Sequence, residues 1–196
     1  MVVKPEIIYS NAQLQIGDEK WTDAEGESFE QSVPNSKFVK GYGGALNLEY
    51  AFDDRWRVGG GLGYVNYNQD HAANKPNFTD MFAKAGVSYD FLKIENLSIY
   101  AAGGLSYHMV NLKTEKDGDV SINPEGIQLL NYDTALGARL QTSESVSLGL
   151  EYRVTNTLDM DKMKVKYASG DTRIDSKVTK VKLNTNEIVT SLSYQL

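Results

Sequence analysis

The sequence predicts an all-β fold: eight antiparallel strands in an up-and-down meander that closes into a barrel. Three observations predict it. Eight segments alternate large apolar residues with small or polar ones at period two. The gaps between them alternate short and long. No segment sustains apolar residues at i, i+3, i+4 and i+7 beside a capping box, so helix signals are poor. The 196 residues are expected to form one domain, residues 1–196, with no repeat of solenoid period.

In chain order, the first segment, Ile7 to Ile16, sets Ala12, Leu14 and Ile16 against Asn11, Gln13 and Gln15. The second, from Phe38 to Phe52, sets Tyr42, Leu46, Leu48, Tyr50 and Phe52 against Gly41, Gly43, Ala45, Asn47 and Glu49. The third, Trp56 to Tyr67, opposes Trp56, Val58, Leu62 and Tyr64 to Arg57, Gly59, Gly61 and Gly63. The fourth runs from Met81 to Phe91, with Lys84, Gly86, Ser88 and Asp90 on its small or polar face, and the fifth from Leu97 to Met109, with Ser98, Ala102, Gly104, Ser106 and His108 there. The sixth, Leu130 to Leu140, carries Asn131, Asp133, Gly137 and Arg139 against Leu130, Tyr132, Leu136 and Leu140. The seventh, Val146 to Val154, carries Ser147, Gly149, Glu151 and Arg153, and the eighth, Ile188 to Leu196, is preceded by Glu187 and carries Ser191, Ser193 and Gln195.

Short gaps fall at residues 53–55, 92–96 and 141–145, and long ones near 17–36, 68–78, 111–127 and 157–182, so short and long edges lie at opposite ends. Parity supports the hairpins: apolar positions that pair across a turn must be separated by an odd number of residues, as the gaps after Phe52, Phe91 and Leu140 are. Eight strands joined this way can close.

The small-residue face decides which side points outward. A soluble exterior would carry bulky polar side chains, yet this face holds Gly41, Gly43, Gly59, Gly61, Gly63, Gly86, Gly104, Gly137 and Gly149. Glycines on an exposed strand weaken a sheet, whereas in a narrow barrel they solve a volume problem. The apolar face is therefore expected to meet hydrocarbon, making this a transmembrane β-barrel. Tyr42 and Tyr50, like Trp56 and Tyr64, are eight residues apart. That is roughly 26 Å along a strand and about 20 Å along the membrane normal at a tilt near 40°. Tyr42, Tyr50, Phe52, Trp56, Tyr64, Tyr89, Phe91, Tyr107, Tyr132, Tyr152 and Tyr194 are expected to form two interfacial aromatic girdles.

The charges assigned to the inner face are Glu49, Arg57, Lys84, Asp90, Asp133, Arg139, Glu151, Arg153 and Glu187. They nearly balance, and buried charge is tolerated only when paired, so they are expected to form an ion-pair network that plugs the lumen. Asp133, Arg139, Glu151 and Arg153 are expected to interact, with Lys84 reaching across. Two alternatives stay open from the residues alone: a small pore-forming barrel, and a lipocalin-like soluble carrier of an apolar ligand.

Charge and composition exclude other classes. A net charge of −6 argues against nucleic acid as a partner. With no cysteine, neither disulfides nor a thiolate metal site is available. The N-terminal MVVKPEIIYS has no hydrophobic core of signal-peptide length, which by itself decides nothing. No cofactor or metal is expected: the Lys116-Asp117-Gly118-Asp119 run and the acidic first loop lack the ordered ligand spacing of a calcium loop. No catalytic residue is expected either. Ser106 and His108 share a face at i, i+2, and a carboxylate could orient the imidazole, but any such dyad would point into the lumen; the other histidine, His71, falls in a long gap.

The sequence resembles the small bacterial outer-membrane barrels: the transmembrane domain of outer-membrane protein A, its X-type relatives, and the neisserial surface and opacity proteins. The likeness rests on YGGALNLEYAFDDRWRVGGGLGY (42–64), LGLEYR (148–153) and IVTSLSYQL (188–196). It implies localisation in the outer membrane, contact with barrel-assembly machinery through Leu192, Tyr194 and Leu196 (where the family usually ends in Phe), and function in the long, surface-exposed loops. Such barrels serve as anchors, adhesins and small channels. The first long loop is acidic, with Asp18, Glu19, Asp23, Glu25, Glu27 and Glu30 against Lys20. The fourth is basic, with Lys162, Lys164, Lys166, Arg173, Lys177, Lys180 and Lys182. The fourth loop is expected to extend as a hairpin around Ser169-Gly170-Asp171 and to bind anionic lipopolysaccharide or a host glycan.

Overall fold

Period-two alternation buries one face of every strand only if the sheet closes, and in a computed structural model of the chain it does. The structure describes residues 1–16, 19–22, 28–31, 38–68, 78–112, 115–117, 120–124, 126–160, 163–169, 172–178 and 181–196, and of the strands outside the barrel only the backbone. The barrel strands are β1 (Val2–Ile16), β4 (Val39–Ala51), β5 (Trp56–Tyr67), β6 (Phe78–Ile94), β7 (Leu97–Leu112), β10 (Ile127–Gln141), β11 (Val146–Met160) and β14 (Val181–Gln195). Each pairs antiparallel with its neighbours in the order β1-β14-β11-β10-β7-β6-β5-β4, and β1 also pairs with β4, which closes the ring. Closure leaves no unpaired edge for lipid to meet.

The long gaps contribute short strands: β2 (Glu19–Thr22), β3 (Ser28–Gln31), β8 (Glu115–Asp117), β9 (Val120–Pro124), β12 (Met163–Ser169) and β13 (Thr172–Val178). These form a second, open sheet in the order β3-β2-β13-β12-β9-β8.

The barrel is inside-out. Leu46, Leu48, Tyr50, Val58, Leu62, Leu105, Leu136 and Leu150 are exposed on the outer wall, while Glu6, Asp90, Arg139, Glu151 and Arg153 are buried within. This polarity suits hydrocarbon outside and excludes the carrier arrangement, whose apolar face would line the lumen. The inner glycines make room for aromatic side chains: a Cβ at Gly63 would run into the Phe82 ring, at Gly41 into Tyr67, and at Gly137 into Tyr100.

Three expectations are corrected. β1 begins at Val2, five residues before the predicted start, and its inward positions include Ile8, Ala12 and Leu14. Ala12 and Leu14 therefore do not share the lipid-facing side. At the long-loop end the rule inverts, because there the lumen is filled with apolar groups: Val39, Val65, Tyr67, Phe78, Val110, Ile127, Leu129, Val181 and Leu183 join them in one core. The second short gap is also shorter than predicted. A bulge between Asp90 and Leu92 turns both Phe91 and Leu92 outward, and β6 continues to Ile94, leaving Glu95 and Asn96 as the turn. Glu95 takes a positive φ of 48° there.

The first short turn, residues 52–55, is one residue longer than the predicted 53–55, although Phe52 and Trp56 still meet across it. Phe52 N–H donates to Trp56 O across it, and Asp53 Oδ1 accepts from the backbone N–H of Arg55 at 2.7 Å and of Trp56 at 2.5 Å. Nearby, Lys93 Nζ donates to the Asp54 carbonyl.

Candidate functional site

Two places gather chemistry: the lumen and the open sheet. In the lumen, alternation brings Lys4 and Glu6 of β1, Glu49 of β4, Lys84 of β6, Tyr100 of β7, and Glu151 and Arg153 of β11 inward at similar depth. Glu6 is the hub. Its Oε2 accepts from Lys84 Nζ at 2.9 Å and from Arg153 Nη2 at 3.2 Å, and its Oε1 lies 3.2 Å from Lys4 Nζ. Arg153 also donates to Glu151 Oε1 at 2.6 Å from Nη2 and to Glu187 Oε2 at 3.3 Å from Nη1. Lys4 Nζ donates to Glu49 Oε1 at 3.0 Å, and the Tyr100 hydroxyl to Glu151 Oε2 at 2.9 Å.

Toward the short turns lies a looser cluster. Arg139 Nη1 is 3.5 Å from Asp90 Oδ1 and its Nη2 3.6 Å from Glu49 Oε2, while Arg57 Nη2 is 3.6 Å from Asp90 Oδ2. Both terminal nitrogens of Arg139, both Asp90 oxygens and Glu49 Oε2 are buried without a protein hydrogen-bond partner. Arg139 additionally sits over the Tyr100 ring, 4.9 Å from its centre.

Every charge the sequence assigned to the inner face lies inside the barrel; of the expected interactions, Arg153 pairs with Glu151 and Lys84 reaches across to β1, while Asp133 and Arg139 pair elsewhere. Asp133 meets none of Arg139, Glu151 or Arg153 in an ion pair; its Oδ1 accepts from Thr155 Oγ1 at 2.6 Å. Arg139 reaches β4 and β6 instead of β11. Lys4, Glu6 and Tyr100 were missed. Lys4 and Glu6 flank Pro5 ahead of the predicted strand start, and their own i, i+2 spacing was the available signal.

Above the network, Ser106, His108 and Asp80 are aligned. His108 Nδ1 is 2.7 Å from Asp80 Oδ2, and Nε2 is 2.9 Å from Ser106 Oγ. A carboxylate accepts, so a proton on Nδ1 would be donated to Asp80, while Nε2 and the Ser106 hydroxyl can exchange donor and acceptor roles with the state of the imidazole. The three are 1–4% exposed, with Phe82 stacked on the imidazole at 5.3 Å. Two cavities lie lower in the barrel, and neither is lined by Ser106 or His108. His71 lies outside the described residues, as do Gly118 and Asp119 of the acidic run. Among the described residues no group of three metal-ligating side chains is close enough to hold an ion.

The girdle aromatics lie on the outer wall: Tyr42, Tyr50, Phe52, Trp56, Tyr64, Phe91, Tyr107, Tyr132, Tyr152 and Tyr194 are exposed, and Tyr89 is half-buried against Trp56 at 4.7 Å. Tyr9, absent from the sequence reading, packs on Tyr42 at 5.2 Å.

In the open sheet, β12 and β13 form the expected hairpin, with Gly170 and Asp171 of its turn outside the described residues, as are Lys162 and Lys180. Lys182 belongs to β14, not to the hairpin, because the barrel strand starts at Val181. Residues opposite one another in an antiparallel pair share a face, and so do residues two apart on one strand. Lys164 is opposite Lys177, and Lys177 is opposite Lys20 of β2. Lys166 is opposite Asp175, Arg173 opposite Ala168, and Lys116 opposite Ser121, which is itself opposite Ala168. One face therefore holds Lys20, Lys116, Lys164, Lys166, Arg173 and Lys177, with Glu30 and Asp175. The other holds Trp21, Phe29, Ile122, Val165, Tyr167 and Ile174. Lys20 and Lys116 join the basic set only through register, which their acidic sequence neighbourhoods hid.

A family profile described as "Outer membrane protein beta-barrel domain" matches residues 9–195. The fold is similar to that of neisserial surface protein A (TM-score 0.61, 13% identity, covering 100% of this chain and 99% of that one). It is also similar to OprG from Pseudomonas aeruginosa (TM-score 0.54, 12% identity, 98% and 96%). A third likeness is to the outer membrane protease OmpT from Escherichia coli (TM-score 0.50, 10% identity, 100% and 97%). No curated protein sequence matches the chain.

Proposed function

The chain belongs to the outer membrane protein β-barrel domain family, and on that premise we propose that this bacterial outer-membrane barrel is an anchor, acting as one domain, that displays a basic sheet to an anionic surface ligand. The ligand class is a phosphorylated or sulfated saccharide, as in lipopolysaccharide or a host glycan. The long-gap end faces outward from the cell and the short turns face the periplasm. Leu192, Tyr194 and Leu196 line the outer wall of the last strand, available to assembly machinery during insertion.

One observation carries this reading: Lys164, Lys177 and Lys20 stand side by side across three adjacent strands. Like charges directly opposite on a sheet repel. An array of anionic groups laid across the strands turns that repulsion into attraction. The ion pairs around Glu6 tie non-adjacent strands together and in this reading brace the barrel beneath the sheet. The reading contains no catalytic step: Ser106 is buried beneath the apolar core, and its neighbouring sheet amides are committed to strand pairing rather than to an oxyanion.

The test uses refolded full-length protein in nonionic detergent, with purified lipopolysaccharide in one arm and heparin in the other. The triple substitution Lys20→Gln, Lys164→Gln and Lys177→Gln is expected to weaken binding by roughly tenfold or more, about 1.4 kcal/mol, and to reduce its salt dependence. Loss in one arm alone identifies the source of the anion. Unchanged, salt-insensitive binding in both arms dismisses the reading.

A further inference from the structure

The lumen is stratified along the barrel axis. At the short-turn mouth a cavity of about 170 Å³ is bordered by polar side chains, among them Ser98, Ser145, Ser147 and Ser193. Deeper lies a second cavity of about 90 Å³, bounded by the ion pairs on one side and by the bare glycine wall of Gly59, Gly86 and Gly104 on the other. Arg57 borders both, so one side chain partitions them. Each space exceeds what a single water requires. Around the partition, buried donors and acceptors on Arg139, Asp90 and Glu49 face one another at 3.5–3.6 Å without protein hydrogen bonds, so their hydrogen-bonding capacity is left for solvent.

Beyond the Asp80–His108–Ser106 layer the character changes. Leu14, Val39, Val65, Phe78, Ile127 and Leu183 converge from different strands, all 0–1% exposed, and Tyr67 stacks on Phe78 at 4.4 Å. The belt offers an ion almost nothing: the Tyr67 hydroxyl is engaged with Ser10 Oγ at 2.8 Å. Neither cavity touches a belt residue.

We propose that the lumen is an aqueous half-channel entered from the periplasmic mouth through the Arg57 partition, and that the apolar belt, not the ion-pair network, is the seal that denies ions passage. The protein is then a pore one constriction short of conduction, and the permeant class is a small monovalent cation. Paired charges and cavities can replace part of an ion's hydration, whereas an apolar ring excludes ions by refusing water. Cations are favoured because Asp80, Asp133 and Glu187 gather at the belt end of the network, facing His108 and the cations Arg153 and Lys84, which Glu6 already engages. The inference goes beyond surface binding and does not depend on it.

Planar-bilayer recordings of the refolded full chain in potassium chloride test it. Wild type is expected to be silent. A belt variant combining Tyr67→Ser and Phe78→Ser is expected to raise conductance roughly tenfold or more over that baseline, with cation selectivity. A network variant, Glu6→Gln with Lys84→Gln, is expected to stay silent. Conduction by the network variant while the belt variant remains silent overturns the proposal, as does conduction by wild type; neither outcome touches ligand capture by the lysine sheet. Should the belt variant fail to refold, single cysteines in the otherwise cysteine-free chain decide the matter. Ser88→Cys, beside the inner cavity, is expected to react with a charged methanethiosulfonate reagent, and Ser10→Cys, within the belt against Tyr67, to resist it. Protection of both, or reaction of both at equal rate, overturns the proposal.

Discussion

Arg153 and Glu6 are 147 residues apart in sequence, yet their side chains meet at 3.2 Å inside the closed barrel. The contact reaches past one strand, from β11 over β14 to β1. Glu6 has two other cationic neighbours, Lys4 and Lys84, whereas Arg153 is the shared partner of Glu6, Glu151 and Glu187. Removing Arg153 leaves Glu187, 6% exposed, without its ion pair, whereas removing Glu6 does the same to the less buried Lys84.

Arg153→Met is accordingly expected to destabilise the barrel by about 3–5 kcal/mol, the typical cost of leaving a buried charge uncompensated, and Glu6→Gln by less. Urea unfolding followed by the gel shift between boiled and unboiled samples measures both. The double variant is expected to be less destabilised than the sum of the two single changes. Strict additivity would remove Glu6 from its place at the centre of the network.

Gly103 and Gly104 are sequence neighbours on opposite sides of the wall. A Cβ at Gly103 meets nothing closer than the Asp133 carbonyl at 3.8 Å. At Gly104 it would collide with the Ala85 carbonyl and stand 3.0 Å from the Gly86 Cα. Gly103→Val is expected to be tolerated in lipid, and Gly104→Val to cost about 1–3 kcal/mol through overpacking. Midpoints of urea denaturation in vesicles compare them; equal midpoints would mean the inner wall has slack that the contacts do not show.

Asp53 governs the first short turn. The backbone N–H groups of Trp56 and Arg55 donate to its carboxylate and hold its pKa below the ordinary value of 3.8. A carboxylate depressed on folding contributes stability above its unfolded pKa and loses it as pH falls through the folded one. The turn is thus expected to be ordered at neutral pH and to loosen below about pH 4. Amide chemical shifts of Arg55 and Trp56 followed through an acid titration report this. Asp53→Asn is expected to abolish the titration step, and a step that persists in that variant would assign it to another group.

Much of the barrel was legible because lipid and lumen impose opposite demands on alternate residues. Where the wall crosses the apolar slab, as at Leu46 to Phe52 and Val58 to Tyr64, large side chains mark the outside and glycines the inside. The inner charges were found for the same reason. The rule failed at the long-loop end, where Ala12 and Leu14 face inward: above the slab the outer face no longer needs to be apolar, and the lumen can be sealed by close packing. Phe91 faces outward as its parity predicts, but Leu92 to Ile94 extend the strand into the expected gap because a bulge consumes one residue and resets the parity. Pairing partners on strands that are not neighbours, such as Arg139 with Asp90 past β7, follow from ring order and stagger, which no single strand encodes. The lysine row was invisible for a related reason, since Lys20 and Lys177 become neighbours only once distant loops are paired.

The ring order also bears on how such a molecule can come into being. β1 lies between β4, its neighbour along the chain within the ring, and β14, the last strand to be synthesised. Until that final strand arrives, the curled sheet presents two rows of bare amides and carbonyls to lipid, and Glu6 waits beside an open seam for an arginine on the far side of it. Half-built intermediates are thus penalised twice, by the backbone and by the charge, so insertion and closure are expected to occur as one concerted event rather than hairpin by hairpin.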